Sequence, residues 1–294
     1  MELWQVLVLS IVEGLTEFVP VSSTGHLILM SRVLGLRGPA IDAFSVVVQL
    51  GALLAAVFYY RRILIDTLTG VLRRQPESLA LVRNILLGSL PLLGVAYLLG
   101  KRIKAVLFAP LPVAAALGVG GLLMLLVERY RRRSVPPYQH AHELPPHRAL
   151  TVGLCHLAAL WPGTSRSLAS MTGGLIAGLP TAAAADFAFL LALPTLGAAT
   201  LYELVKERHI LHSEVGFVNI GIGLLVSFVV GWLVIAAFLR YLRGHGLLAF
   251  ALYRIVLALT VLGLTMGGAA SDSVVPRQTI PSTVSTGSAT NHTP

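Results

Sequence analysis

The sequence predicts an all-α polytopic membrane protein, with six transmembrane helices and two re-entrant helical hairpins arranged as an inverted-topology repeat. Three observations predict it. The 294 residues are 55% hydrophobic and only 12% charged, with a mean hydropathy of +0.80, whereas a soluble domain carries roughly 25% charged residues to dress its surface. Six stretches, about 42–60, 81–100, 106–128, 181–202, 217–239 and 247–268, reach the ~20 mostly apolar residues that a spanning helix needs. Two further apolar segments, 1–36 and 148–179, are broken near the middle by proline and a run of hydroxyl residues, FVPVSSTGH in one and LWPGTSRS in the other.

Each broken segment reads as two short helices meeting at mid-membrane depth, where irregular backbone is tolerated only if protein or a cavity surrounds it. The order is hairpin, three spans, hairpin, three spans, and an odd number of spans turns the second half upside down. The repeats cover about 1–128 and 148–268 within one integral membrane domain, 1–268. Setting Pro20 on Pro162 brings Ser23 beside Ser165, in keeping with a duplication. Such repeats place their site where the broken segments meet. Residues 269–294, ending TVSTGSATNHTP, have no apolar period and read as a disordered polar tail.

The formal net charge of +9 does not point to nucleic acid, because the arginines cluster between apolar runs at Arg61, Arg62, Arg73, Arg74, Arg129, Arg131, Arg132 and Arg133. That is the pattern of cytoplasmic loops. With the first hairpin entering from outside, these clusters lie inside and both termini lie outside. No cleavable signal is evident, since a basic leader is missing and Glu13 and Glu17 interrupt the first apolar run. The single cysteine, Cys155, excludes an internal disulfide and a multi-cysteine metal site.

Candidate chemistry sits at the two breaks. Glu13 and Glu17 are four positions apart and share one helical face; acids inside an apolar hairpin mark a functional cavity by default. After Pro20, the run SSTGH at 22–26 supplies caps for a helix beginning around Ser23, and free N–H groups at such a start bind anions. His26 lies three residues after Ser23, within reach of its hydroxyl, and a histidine beside a serine can withdraw its proton. The second break repeats the capping residues as Thr164, Ser165 and Ser167 and adds Arg166, a bidentate partner for phosphate. Elsewhere, Gln49 and Asp186 are expected to hydrogen-bond between helices, Arg254 to snorkel to headgroups, and glycines such as Gly118, Gly120 and Gly121 to allow close helix packing. His140, His142 and His147 read as part of a solvated loop.

These residues resemble the bacterial undecaprenyl-diphosphate phosphatases of the bacitracin-resistance type. EGLTEFVPVSSTGHL at 13–27, VVVQLGALLAAV at 46–57, LWPGTSRS at 160–167, DFAFLLALP at 186–194 and FALYR at 250–254 carry the resemblance, which covers nearly the whole chain. The chain departs from the family pattern after the SRS triplet, where Leu168 replaces glycine and SLASMTGG replaces an SGAT-like run. The resemblance implies hydrolysis of undecaprenyl diphosphate to undecaprenyl phosphate and inorganic phosphate, recycling the lipid carrier for cell-wall synthesis in the bacterial inner membrane, with the site open to the outer face. It also implies that Glu13, Glu17, Ser23, His26 and Arg166 carry the reaction, with Ser22, Thr24 and Ser165 nearby, assisted by a divalent cation.

Arg166 and the two helix starts, with Ser22, Thr24, Thr164, Ser165 and Ser167, are expected to hold the phosphates, and Glu13 and Glu17 to bind Mg²⁺ or Ca²⁺ or to orient water. Either Ser23, activated by His26, attacks phosphorus, or His26 activates water directly. A lipid-phosphate transporter or flippase on the same repeat is the alternative. The expected partners are a polyprenyl diphosphate lipid and the bilayer, with no nucleic acid; a homodimer stays open.

Overall fold

The structure, a computed structural model, describes residues 1–107, 109–131 and 135–266. Proline marks many of the element starts, because its missing N–H is one that a helix start leaves unbonded anyway. The first half forms α1 (Leu3–Thr16), α2 (Ser23–Val33), α3 (Pro39–Val47), α4 (Gln49–Tyr59), α5 (Arg61–Leu72), α6 (Pro76–Leu107) and α7 (Pro110–Arg131). The second half forms α8 (Pro146–His156), α9 (Arg166–Ala177), α10 (Thr181–Lys206), the single turn α11 (Arg208–Ile210), α12 (Phe217–Gly244) and α13 (Leu248–Met266). Among the described residues there is no strand, as the all-α reading expects.

Among the described residues, five helical stretches are long and apolar enough to cross a membrane: Pro39–Tyr59, Pro76–Gly100, Leu111–Arg129, Thr181–Lys206 and Phe217–Gly244. The sixth expected span coincides with α13, whose apolar part, Leu248–Gly263, is shorter. The expected loop after residue 60 is instead α5, on which Ile63, Ile65, Leu68 and Leu72 are exposed beside Arg61 and Arg62; that is the composition of a helix lying at a membrane interface. The polar tail at 269–294 lies outside the described residues.

The two broken segments pack in the same way. The first helix of each broken segment lies against a long helix from the other half of the chain, α1 on α12 and α8 on α6. Small residues permit the approach: a Cβ added to Gly14 would stand 2.8 Å from Val230 Cβ, and one added to Gly153 would stand 2.5 Å from the Leu87 carbonyl oxygen. α7 packs along α13, and α4 against α12 and α10. The core between the halves is aromatic, with Phe18 edge-on to Phe189 at 5.1 Å and Tyr60 and Phe238 beside the same ring. The outside of the bundle exposes Leu122, Leu126, Leu225, Leu233, Val256 and Leu259. An exterior that apolar requires lipid around it.

Candidate active site

In the first break, α1 ends at Thr16 and the chain turns through residues 17–21 before α2 begins. The Glu17 N–H still donates to the Glu13 carbonyl at 3.0 Å, so the two carboxylates sit one helical turn apart, as their spacing requires. Ser22 then takes the left-handed region at φ 75° and caps α2, its hydroxyl accepting from the Gly25 N–H at 3.3 Å. Capping places Ser23 in the first turn of α2 with its hydroxyl turned back, where it donates to Glu17 Oε2 at 2.5 Å. Glu13 has no exposed surface, and neither of its carboxylate oxygens has a hydrogen-bond donor among the described residues. A carboxylate so placed needs a cation or a proton as its partner.

The second break repeats the device. Gly163 at φ 98° turns the chain, Ser165 at φ 77° caps α9, and its hydroxyl accepts from the Leu168 N–H at 3.3 Å. The cap puts Arg166 at the start of α9, facing the first break. Its Nη2 donates to Glu17 Oε1 at 2.7 Å and to Gln49 Oε1 at 3.0 Å. Arg166 Nε and Nη1 have no protein acceptor among the described residues and remain available to an anion. A second bridge runs through hydroxyls: Ser165 and Ser167 are 2.9 Å apart, and Ser167 donates to the Val19 carbonyl at 3.3 Å. With one proton each, Ser165 donates to Ser167, which donates across to the first break.

The structure therefore brings Glu17, Ser23, Arg166, Ser165 and Ser167 together, with Glu13 one turn behind. It does not pair His26 with Ser23. His26 Nδ1 lies 2.8 Å from the Ser22 carbonyl, which only accepts, so Nδ1 carries a proton; Nε2 is hydrogen-bonded with the Tyr253 hydroxyl at 2.6 Å. The rings stack 6° from parallel. The group beside the serine hydroxyl is Glu17, not the expected histidine. Thr24, half-buried on α2, and Thr164, buried before the second cap, have no side-chain hydrogen bond to this network among the described residues. The expected equivalence of Ser23 with Ser165 also shifts by one, since the two capping serines are Ser22 and Ser165.

Gln49 bonds between helices as expected, and in doing so reaches Arg166 in the site. Sequence reasoning did not single out Tyr253, for which the FALYR block was the available signal. Arg254, expected to snorkel, is instead fully buried. An apolar groove of about 450 Å³, lined by Val12, Leu15, Val19, Val21, Phe250 and Tyr253, runs between α1 and α13 and reaches His26. Asp186 bonds between helices as expected, accepting from the Tyr60 hydroxyl at 2.6 Å. Among the described residues no group of three or more His, Cys, Asp and Glu is placed to hold a metal.

Fold and site together define a helical membrane protein in which carboxylates from one helix break meet a guanidinium from another. The sequence profile of bacitracin resistance protein BacA matches residues 6–260, and the chain belongs to that family. It is 51% identical over 260 residues to an undecaprenyl-diphosphatase of Sorangium cellulosum, covering 87% of this chain and 84% of the relative. It is 45% identical to undecaprenyl-diphosphatase 1 of Burkholderia thailandensis, covering 87% and 93%. With undecaprenyl-diphosphatase 1 of Chromobacterium violaceum the identity is 44%, covering 90% and 97%.

Proposed function

We propose that the chain hydrolyses undecaprenyl diphosphate to undecaprenyl phosphate and inorganic phosphate, returning a lipid carrier to cell-wall synthesis from the bacterial inner membrane. The observation that carries this reading is the Glu17 carboxylate, which holds the Ser23 hydroxyl on one oxygen and the Arg166 guanidinium on the other. One group thereby prepares a nucleophile and aims an anion-binding cation. The free donors of Arg166, with the N–H groups that the starts of α2 and α9 leave unbonded, are the phosphate ligands.

In the reaction, Ser23 gives its proton to Glu17 and its oxygen attacks the terminal phosphorus. The bond to the bridging oxygen breaks, and undecaprenyl phosphate leaves. Water then attacks the phosphoserine, releasing phosphate and restoring the Ser23 proton. His26 and Tyr253 border the apolar groove, which takes the first isoprene units, so their polar edges meet the diphosphate where the chain joins it. Glu13 and Glu17 are hard oxygen donors, one of them unpartnered, and would be the residues to hold a Mg²⁺ or Ca²⁺. Such a cation supplies neutralisation of phosphoryl charge.

The packing of α1 on α12 and of α8 on α6 supports an inverted repeat of 1–128 and 148–268 with α13 as sixth span, and the arginine clusters support a site facing the outer side. The test is phosphate release from undecaprenyl diphosphate by the purified chain in detergent, with and without chelator. Release that depends on Ser23 and traps a phosphoserine supports the reading; a chain that moves the lipid between leaflets but releases no phosphate is a carrier and overturns it.

A further inference from the structure

The mechanism above leaves a buried cation without a task. Arg254 on α13 has no exposed surface, and among the described residues no acid lies within ion-pair distance of it. Its guanidinium is spent on backbone carbonyls: Nη1 donates to Pro20 at 3.2 Å, and Nη2 donates to Gly163 at 2.8 Å and to Ala116 at 3.1 Å. Pro20 belongs to the first break, Gly163 to the second and Ala116 to α7. Burying a charged guanidinium is costly unless its donors are used; both terminal nitrogens are used, two of their three bonds going to carbonyls that the interrupted backbones leave open, while Nε is buried without an acceptor among the described residues.

A glycine makes the approach possible. A Cβ on Gly120 of α7 would stand 2.3 Å from Arg254 Nη2 and 3.0 Å from its Cζ, so any larger residue displaces the guanidinium. Gly120 thus serves a side chain as well as helix packing. Leu168, where the chain departs from the family pattern, is buried, and its Cδ2 lies 3.0 Å from the same point. Arginine, glycine and leucine fill one space behind the two breaks.

We propose that Arg254 is a positioning residue that sets the register of the two breaks, and with it the alignment of Ser23 and Arg166, by forking between the carbonyls of Pro20 and Gly163 in a space that Gly120 keeps open. It touches no substrate. Its loss leaves phosphate binding by Arg166 in place but misaligns attack, and a displacement on the order of 1 Å costs about a hundredfold in rate.

The kinetic arm rests on the hydrolytic reading. Arg254→Met and Arg254→Lys, each eluting from size exclusion like the unsubstituted chain, are expected to lose about a hundredfold in kcat with KM within about threefold, since lysine keeps the charge but not the fork. Gly120→Ala is expected to lower kcat about tenfold in the Arg254 chain and to cost nothing further in the Arg254→Met chain, because contacting residues couple. Restored kcat in Arg254→Lys, or multiplying losses in the double variant, overturns the proposal. If Arg254→Met does not fold, Arg254→Lys and Gly120→Ala decide.

A second arm needs no catalysis. Ser167 Oγ lies 3.3 Å from the Val19 carbonyl across the breaks, so the pair Val19→Cys and Ser167→Cys, in a chain carrying Cys155→Ala, reports register by its oxidative cross-linking rate. Arg254→Met is expected to slow that rate at least tenfold; an unchanged rate overturns the proposal. Absence of phosphate release from the unsubstituted chain would count against the hydrolytic reading, and the cross-linking arm would still decide this one.

Discussion

At Ser22 and at Ser165 the backbone makes the same excursion, with φ at 75° and 77°, and in both places the serine hydroxyl caps the helix that follows. The side chains around the two caps differ. The first break carries Glu13, Glu17, Ser23 and His26, while the second carries Arg166 and no acid. Because each break holds charge of one sign in apolar surroundings, each finds its counter-charge only across the interface, at the 2.7 Å contact of Arg166 with Glu17. Opposite loading of equivalent breaks therefore assembles the site and holds the halves in register, whereas like loading would leave two uncompensated charges in a membrane.

The comparison can be broken at several points, and the largest effect is expected on the acidic side. Glu17→Gln removes the acceptor of the Ser23 proton and the counter-charge of Arg166 together, so phosphate release should fall about a thousandfold, within the range for loss of a general base. Activity within tenfold of the unsubstituted chain would assign the base elsewhere. On the basic side, Arg166→Lys keeps the charge but loses the planar fork. Its kcat/KM should drop roughly ten- to a hundredfold, the worth of a charged hydrogen bond, and mostly through KM if phosphate binding is its task.

The caps should respond alike where the chemistry does not. Ser22→Ala and Ser165→Ala each remove a cap worth about 1 kcal/mol at a φ that alanine dislikes, while glycine at either position tolerates that φ. Thermal midpoints in detergent should fall for both alanine variants and recover for both glycine variants; a large difference between the two sites would deny that the breaks are built alike. The smallest effect is expected away from both breaks, where Tyr60→Phe removes the hydrogen bond to Asp186. Stability should fall by about 1 kcal/mol and phosphate release should stay within about twofold.

What the sequence disclosed was local. The four-residue spacing of Glu13 and Glu17, the hydroxyls after each proline and the lone arginine of the second break all act within a turn or two of helix, and the structure keeps each of them. What it concealed depends on partners far along the chain. Spacing puts His26 within reach of Ser23, yet Tyr253, from α13, takes the imidazole, and the Ser23 hydroxyl turns back to Glu17. The offset between the breaks arises because the capping serine comes two residues after Pro20 but three after Pro162, a difference that aligning the prolines cannot reveal. Arg254 near a span's end reads as a snorkelling residue, but the open carbonyls of the breaks, which no linear pattern announces, draw it inward. The arginine-rich stretch after residue 60 reads as a connecting loop and not as α5, because its apolar residues are too few to look like a span.

The central claim is that Glu17 and Arg166, from opposite halves of the chain, act as one unit. A double-mutant cycle on kcat/KM for phosphate release, with Glu17→Gln, Arg166→Gln and the pair, tests it most directly. The expected result is a double variant about as active as the weaker single one, because groups in one network do not contribute independently. Losses that multiply would place the two residues in separate roles and contradict a shared site.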